Sequence, residues 1–336
     1  MVVGAVLAAL LLVAAYLLVT PSEIPVDPAW AVEGDREIPP GAVTVRFTGT
    51  STLLFTDGET SWMVDGWFTR VGPLSLVAGT IEPDVEAIEQ GLARNEVDRL
   101  AVVIPIHSHF DHAMDAPEVA KRTGALLLGS ASTAMIGRGW GLEEAQIRVA
   151  VDRQPIRFGA FTITLIETNH FEFPDPEVRA RALADPTIDS PLVPPVGAFD
   201  YKVGQPYAIH VAHPKGNFLI QGSAGFREDG LAGFAADTVF LGVGGLGTQT
   251  ESYRETYWRE TVARFAPERV VPIHFDSLTA PIEGPFVGEV LAASFLSRGG
   301  DLTREFLAEK LATTRAERPA FSYMTLPRYD PVVLYR

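Results

Sequence analysis

An unbroken apolar run, "RLAVVIPI" (residues 99–106), opens directly into "HSHFDHAMD" (residues 107–115). The run has strand length and no alternation, which predicts a strand buried on both faces, as in a parallel sheet. Three of the chain's seven histidines and two aspartates fall within the nine residues behind it. A buried strand that ends in a polar cluster constrains the fold strongly, because strand ends along one edge of an α/β sheet converge and form its ligand sites.

The neighbouring segments fit that frame. "AVTVRFTG", "STLLFTDG" and "SWMVDG" are β-rich runs closed by glycine, and they predict a meander. "EPDVEAIEQGLARNEV" has a helical period, "APEVAKRTG" predicts a helix ending at Gly124, and "ALLLGS" a strand after it. "FTITLIETNH" predicts a strand with His170 at its end. Residues 171–205 are dense in proline, which forbids a regular strand there. They predict a long excursion with a short helix near Glu177–Leu183, of the kind that forms lids and binding loops. Strands resume at "QPYAIHVAH", "GNFLIQGS", "DTVFLGVGG" and "RVVPIHFD", with helices near Glu251–Phe265, Gly284–Ser297 and Leu302–Thr313. Meandering strands with helices flanking the later ones predict two packed sheets covered by helices, a four-layer αββα sandwich.

Residues 1–20 carry no charged side chain. As a helix they would be about 30 Å long, which predicts a transmembrane anchor with the main domain on the exported side. A signal peptide removed on secretion is the alternative, although no Lys or Arg precedes the apolar core and "LVTPSEIP" is a poor cleavage site. Residues 21–41, rich in proline and acidic side chains, predict an extended linker, leaving 42–336 as the domain with 171–205 as an insertion. The net charge of −15 and the lack of a basic cluster disfavour a nucleic-acid partner. With no cysteine, the chain has no disulfide, thiol nucleophile or thiolate ligand.

The cluster itself reads H-x-H-x-D-H. His107 and His109, as alternate residues of an extended segment, can point the same way, while Asp111 and His112 turn toward a second point nearby. Imidazole and carboxylate groups are ligands suited to zinc and similar ions. His170 and His274 also follow apolar strands. This pattern resembles the metallo-β-lactamase fold superfamily over roughly residues 42–280. The run "GTSTLLFTDGETSWMVDG" is also similar to the broad group of predicted metal-dependent hydrolases that includes sugar-lactone hydrolases and an N-acyl-phospholipid phospholipase.

The resemblance implies two zinc sites, His107–His109–His170 and Asp111–His112–His274, with Asp111 also orienting the nucleophile. It implies hydrolysis of an ester, lactone, amide or phosphoester by a metal-activated hydroxide. The substrate expected is a small or amphiphilic molecule. Ser223, in "FLIQGSAGF", stands where most two-metal members carry a bridging Asp, which puts the second ion in doubt. A di-iron redox enzyme of the same fold and a membrane-tethered binding module that keeps a structural metal are the other function classes.

Other residues carry two readings each. Asp65 closes a turn or contacts a ligand histidine from behind, and Asp115 opens a helix or hydrogen-bonds behind the ligands, with direct ligation of the metal as its other reading. Ser223 fills the gap of a lost Asp or bonds a metal-bound water. His210 and His213 flank a hairpin turn as structural residues, with His213 the substitute ligand if His170 fails. The glycines of "GVGGLG" (242–247) predict a tight loop under the site rather than a dinucleotide site. Phe171 and Phe173 line a pocket or pack in the core.

Overall fold

The structure is a computed structural model that describes residues 2–291 and 299–336. Among these residues fourteen strands form two seven-stranded sheets. The first contains β1 (Val43–Gly49), β2 (Thr52–Thr56), β3 (Ser61–Val64), β4 (Val102–Ile104), β5 (Leu126–Gly129) and β6 (Ile147–Val149). The second contains β7 (Pro155–Phe158), β8 (Phe161–Glu167), β9 (Tyr207–His213), β10 (Gly216–Gln221), β11 (Thr238–Gly242), β12 (Arg269–Ile273) and β13 (Ser322–Tyr323). The last strand, β14 (Val332–Tyr335), returns to the first sheet beside β1.

Both sheets follow one plan. The order β14-β1-β2-β3-β4-β5-β6 is antiparallel as far as β3 and parallel from β3 onward. The order β7-β8-β9-β10-β11-β12-β13 is antiparallel as far as β10 and parallel beyond it. Parallel neighbours require crossover connections, which is why the helices accumulate on these halves.

The helices are α1 (Val2–Val19), α2 (Pro73–Ala78), α3 (Val85–Arg94), α4 (Phe110–Ala113), α5 (Ala116–Thr123), α6 (Ala131–Gly139), α7 (Pro176–Leu183), α8 (Glu251–Thr261) and α9 (Gly300–Glu317). Local chemistry sets their ends. Asp84, Ser130, Asp175 and Thr250 cap α3, α6, α7 and α8 by accepting backbone N–H groups of the first turn. Gly124 ends α5 in the left-handed region, at φ 71°.

The sheets meet through their inner faces. Phe55 of the first sheet stacks on Phe218 of the second at 4.8 Å and on Trp62 of its own sheet at 4.7 Å. Met63, Val103 and Leu127 on the other face of the first sheet pack under Ile88, Leu92, Val119 and Ala120 of α3 and α5. On the second sheet, Tyr257 and Trp258 of α8 and Phe306, Leu307 and Leu311 of α9 join the same cluster as Val239, Val270 and Tyr323. Helices thus cover the sheet pair on both sides.

Two expectations for the N-terminal part are corrected. Among the described residues no helix is long and apolar enough to cross a membrane, so α1 is not the expected transmembrane anchor. The helix stops at Val19 after 18 residues. The chain then meets the domain at once, where Leu291 N–H donates to the Thr20 carbonyl and Pro21 bridges Val290. The expected 21–41 linker is likewise docked. Trp30 is buried with its ring edge-on to Tyr323 at 4.8 Å, and Asp35 accepts the Val333 N–H at 2.8 Å. Apolar residues inside a proline-rich, acidic stretch make this contact.

The helix expected at Gly284–Ser297 is absent from 284–290, and residues 292–298 lie outside the described residues. The excursion contains α7 where a short helix was expected. Its other parts are tied down, with Ile188 N–H donating to Ser132 Oγ and Val196 bridging Ile81.

Candidate metal centre

The strand ends of both sheets meet at one edge. β4 runs into His107, β8 into His170, β10 into Ser223, β11 into Gly244 and β12 into His274. The loop behind β4 is pinned at the residues before His107 and His109. Ile106 N–H donates to Asp65 Oδ1 at 2.8 Å, and Ser108 N–H donates to the Val203 carbonyl at 2.9 Å. His109 is the N-cap of α4, so Asp111 and His112 leave the first helical turn in a direction different from His107 and His109.

Two triads result. One nitrogen each of His107, His109 and His170 lie within 4.8 Å of one another, as do a carboxylate oxygen of Asp111 and one nitrogen each of His112 and His274. His107 Nε2 faces His109 Nδ1 at 2.9 Å. Asp111 Oδ2 lies 3.4 Å from His112 Nε2 and 3.2 Å from His274 Nε2. His170 Nδ1–H donates to the Phe171 carbonyl at 2.7 Å, which turns Nε2 toward the cluster. His112 Nδ1–H donates to Asp65 Oδ2 at 2.9 Å, leaving a buried Nε2 with no hydrogen-bond partner among the described residues.

Burial first, and then repulsion among the rings, holds the His107 imidazole well below its usual pKa. Burial likewise pulls His109 down to about 4 against the attraction of Asp111, and His170 down to about 3. These three rings are neutral near pH 7 and keep lone pairs available. Burial opposes ionisation of Asp111, but the charge of His112 and the hydrogen bond from His274 outweigh it and hold the carboxyl well below the carboxylate range. His112 is raised, because Asp111 and Asp65 together overcome its burial. Neutral imidazoles, an ionised carboxylate and an orphaned, buried Nε2 form a donor set that fits divalent ions.

Residues behind the ligands fix their positions. Asp65 holds a left-handed backbone, φ 57°, and joins the β4 exit to His112 as described. Ser51 Oγ also lies 3.1 Å from His112 Nδ1. His274 is itself left-handed at φ 57°, an uncommon state for a residue with a side chain. Its N–H donates to the carbonyl of Thr50, and Asp276 Oδ1 accepts the Thr50 N–H at 2.6 Å. The Arg328 guanidinium lies 3.9 Å from the other Asp276 oxygen. Ser51, Thr50 and Asp276 were not among the residues anticipated. Thr50 and Asp276 are 226 positions apart, and only the backbone geometry of His274 marks their role.

The remaining candidates separate clearly. Asp115 sits at the start of α5 without capping it, and accepts from Phe68 N–H, Thr69 N–H and Thr69 Oγ–H at 2.7–2.8 Å. It fastens the loop after β3 and contacts no ligand histidine in the hydrogen-bond set. Ser223 lines the pocket over the triads, with a buried hydroxyl that has no protein partner. Asp237 accepts the Asn217 N–H at the opposite ends of β10 and β11. His210 bonds the Ala235 carbonyl, and His213 lies 3.5 Å from Asp57, so neither joins a triad. In the glycine loop, a Cβ on Gly244 would stand 2.6 Å from His274 Nδ1, so the close approach of that loop requires glycine.

Solved structures align with nearly the whole chain. A metallo hydrolase from the hyperthermophilic archaeon Ignicoccus hospitalis is 14% identical, with 88% of this chain and 99% of that chain covered at a TM-score of 0.51. The chain has the two-sheet fold expected of the metallo-β-lactamase superfamily. An isothiocyanate hydrolase from Delia radicum gut bacteria is 15% identical, covering 87% of this chain and 99% of that one at a TM-score of 0.51. A mutant of CmlA, a di-iron β-hydroxylase of Streptomyces venezuelae, is 12% identical with a TM-score of 0.51 over 89% of this chain and 55% of that one. Identities this low carry the metallo-β-lactamase fold and nothing finer. No protein-family model and no curated protein matches the sequence.

Proposed function

We propose that the chain is a metal-dependent hydrolase of ester, lactone, amide or phosphoester bonds, working on a small or amphiphilic molecule. The observation that carries this reading is the pair of triads, five of whose six residues line one pocket. When bound there, divalent ions would supply a Lewis acid and acidify water. His107, His109 and His170 would hold one ion, and Asp111, His112 and His274 the other. Zinc is the ion proposed for both, since five imidazoles and one carboxylate are a nitrogen-rich set, whereas iron sites that activate oxygen commonly include more carboxylate.

The chain's own groups do the rest. Asp111 brings the one negative charge to the floor of the site. Asp65 keeps the His112 ring proton on Nδ1 and away from the ligand face. Phe171 holds His170 through its carbonyl, and its ring, with that of Phe173, keeps water from the flank of the triad.

Elemental analysis beside a hydrolysis panel tests the proposal. Two zinc ions per chain are expected, with one lost in His109→Ala and one in His274→Ala, and hydrolysis abolished by the first. A protein that takes up no ion even when zinc is supplied would refute it.

A further inference from the structure

The wall of the pocket differs in kind from its floor. Apart from the ligands, it is built mainly from Leu76, Phe110, Phe171, Phe173, Phe199 and Leu278. Two alanines and a glycine fill the gaps, and Ser223 is the only other polar side chain in the lining among the described residues. Among the described residues no lysine or arginine lines it. Arg181 stacks on Phe199 with its guanidinium 4.1 Å from the ring centroid, but it is not part of the lining.

A charged group seated against such a wall loses its hydration and gains no counter-ion, which is strongly unfavourable. The net charge of −15 adds a repulsive field for anions. An ion pair on the floor would attract a negative group at the reacting centre only. Aromatic rings gathered around a floor of ligands instead favour an apolar group placed beside the scissile bond.

We infer that the substrate is an acyl compound, an ester or lactone, whose acyl part is uncharged and apolar and packs against Phe110, Phe171, Phe173 and Phe199. Water adds to the acyl carbon, the bond from that carbon to the leaving oxygen breaks, and one water proton ends on the departing alcohol while the other is released with the carboxylate product. The chemistry of this inference rests on the hydrolase reading, whereas the apolar wall does not.

The experiment separates the two. The neutral fluorophore N-phenyl-1-naphthylamine is titrated into full-length protein stripped of metal, and is then displaced with octanol. Micromolar binding is expected, at least tenfold weakened by Phe199→Arg, with circular dichroism checking the fold of the variant. The zinc-loaded protein is then given p-nitrophenyl esters of increasing chain length. Each methylene from acetate to hexanoate should raise kcat/KM about fourfold until the wall is covered. The adipate half-ester, with a carboxylate at the chain end, should fall at least tenfold below hexanoate, and Phe199→Arg should narrow that gap.

Fluorophore binding without turnover of any ester would overturn the ester or lactone assignment and leave the apolar wall standing; the hydrolase reading itself falls only if the protein also takes up no zinc. Absence of fluorophore binding, a flat chain-length series, or preference for the acid-terminated ester would overturn the inference itself.

Discussion

Replacing Asp65 by asparagine changes the chemistry of one atom behind the second triad. Asp65 is fully buried and serves two donors, Ile106 N–H through Oδ1 and His112 Nδ1–H through Oδ2. A carboxylate accepts both, whereas an amide has one oxygen and one NH₂ group. The Ile106 N–H has no other partner described, so the amide oxygen stays with it and the NH₂ turns to His112. That hydrogen bond forms only when Nδ1 carries the lone pair, which moves the ring proton to Nε2, the atom facing Asp111. In the tautomer that leaves Nε2 free for an ion, the variant lacks the wild-type hydrogen bond from Nδ1–H to a charged carboxylate, worth about 1.5–3 kcal/mol. In affinity this is roughly 10- to 150-fold. Ser51 Oγ, 3.1 Å from Nδ1, can accept the proton in part and places the single variant at the lower end. Adding Ser51→Ala moves it to the upper end. Competition against a chromophoric chelator at pH 7.5 resolves two binding steps. The expected result is an unchanged step for the tri-histidine triad and a weakened step for the other, in protein whose metal-free melting still shows a folded state. Two unaltered steps in Asp65→Asn and in the double variant would refute the reasoning.

Three further predictions follow from other contacts. Burial raises the Asp115 carboxyl to about 6 against its three hydrogen bonds, so the stability it contributes is complete below pH ~4 and is lost as pH rises through 6. Asp115→Asn, measured by urea unfolding, should therefore gain on the wild type by up to about 3 kcal/mol between pH 4 and 7, and a constant difference would contradict this. Ser223→Asp supplies a carboxylate to the pocket floor, and calorimetry should find the weaker zinc step tightened at least tenfold; no change would place residue 223 out of reach of the ions. Gly244→Ala puts a methyl group 2.6 Å from His274 Nδ1 and should weaken the Asp111–His112–His274 step by more than tenfold, with the tri-histidine step as internal control.

How much of this was legible in the sequence depends on how local each signal is. The H-x-H-x-D-H cluster needs only one strand end and one helical turn, and the apolar run before it announces the strand. His170 and His274 could be suggested because each follows its own apolar strand. β6 and β7 could not, since their residues are half-exposed and lack an apolar run. β14 pairs with β1 across nearly the whole chain, a partnership with no local mark. At the N-terminus composition misled in two ways. An uncharged run suggested a span, but the helix ends at Val19, and the proline-rich segment behind it holds Val26 and Trp30, which are buried in the domain core.

The least legible part of the site is what holds His274. Its backbone adopts a left-handed state, as does that of Thr50, and each is disfavoured for a residue with a β-carbon, by about 1–3 kcal/mol. Neither conformation would persist alone. Thr50 gives its carbonyl to His274 and its N–H to Asp276, so the two strained residues and the loop beyond β12 close on one another. The closure joins the β1–β2 turn of the first sheet to the end of β12 in the second. Asp111 and His112 enter from the first sheet and His274 from the second, so their triad straddles the sheet interface. Its geometry is therefore only as exact as the alignment of the sheets, which this clamp sets at the point where the ligands meet.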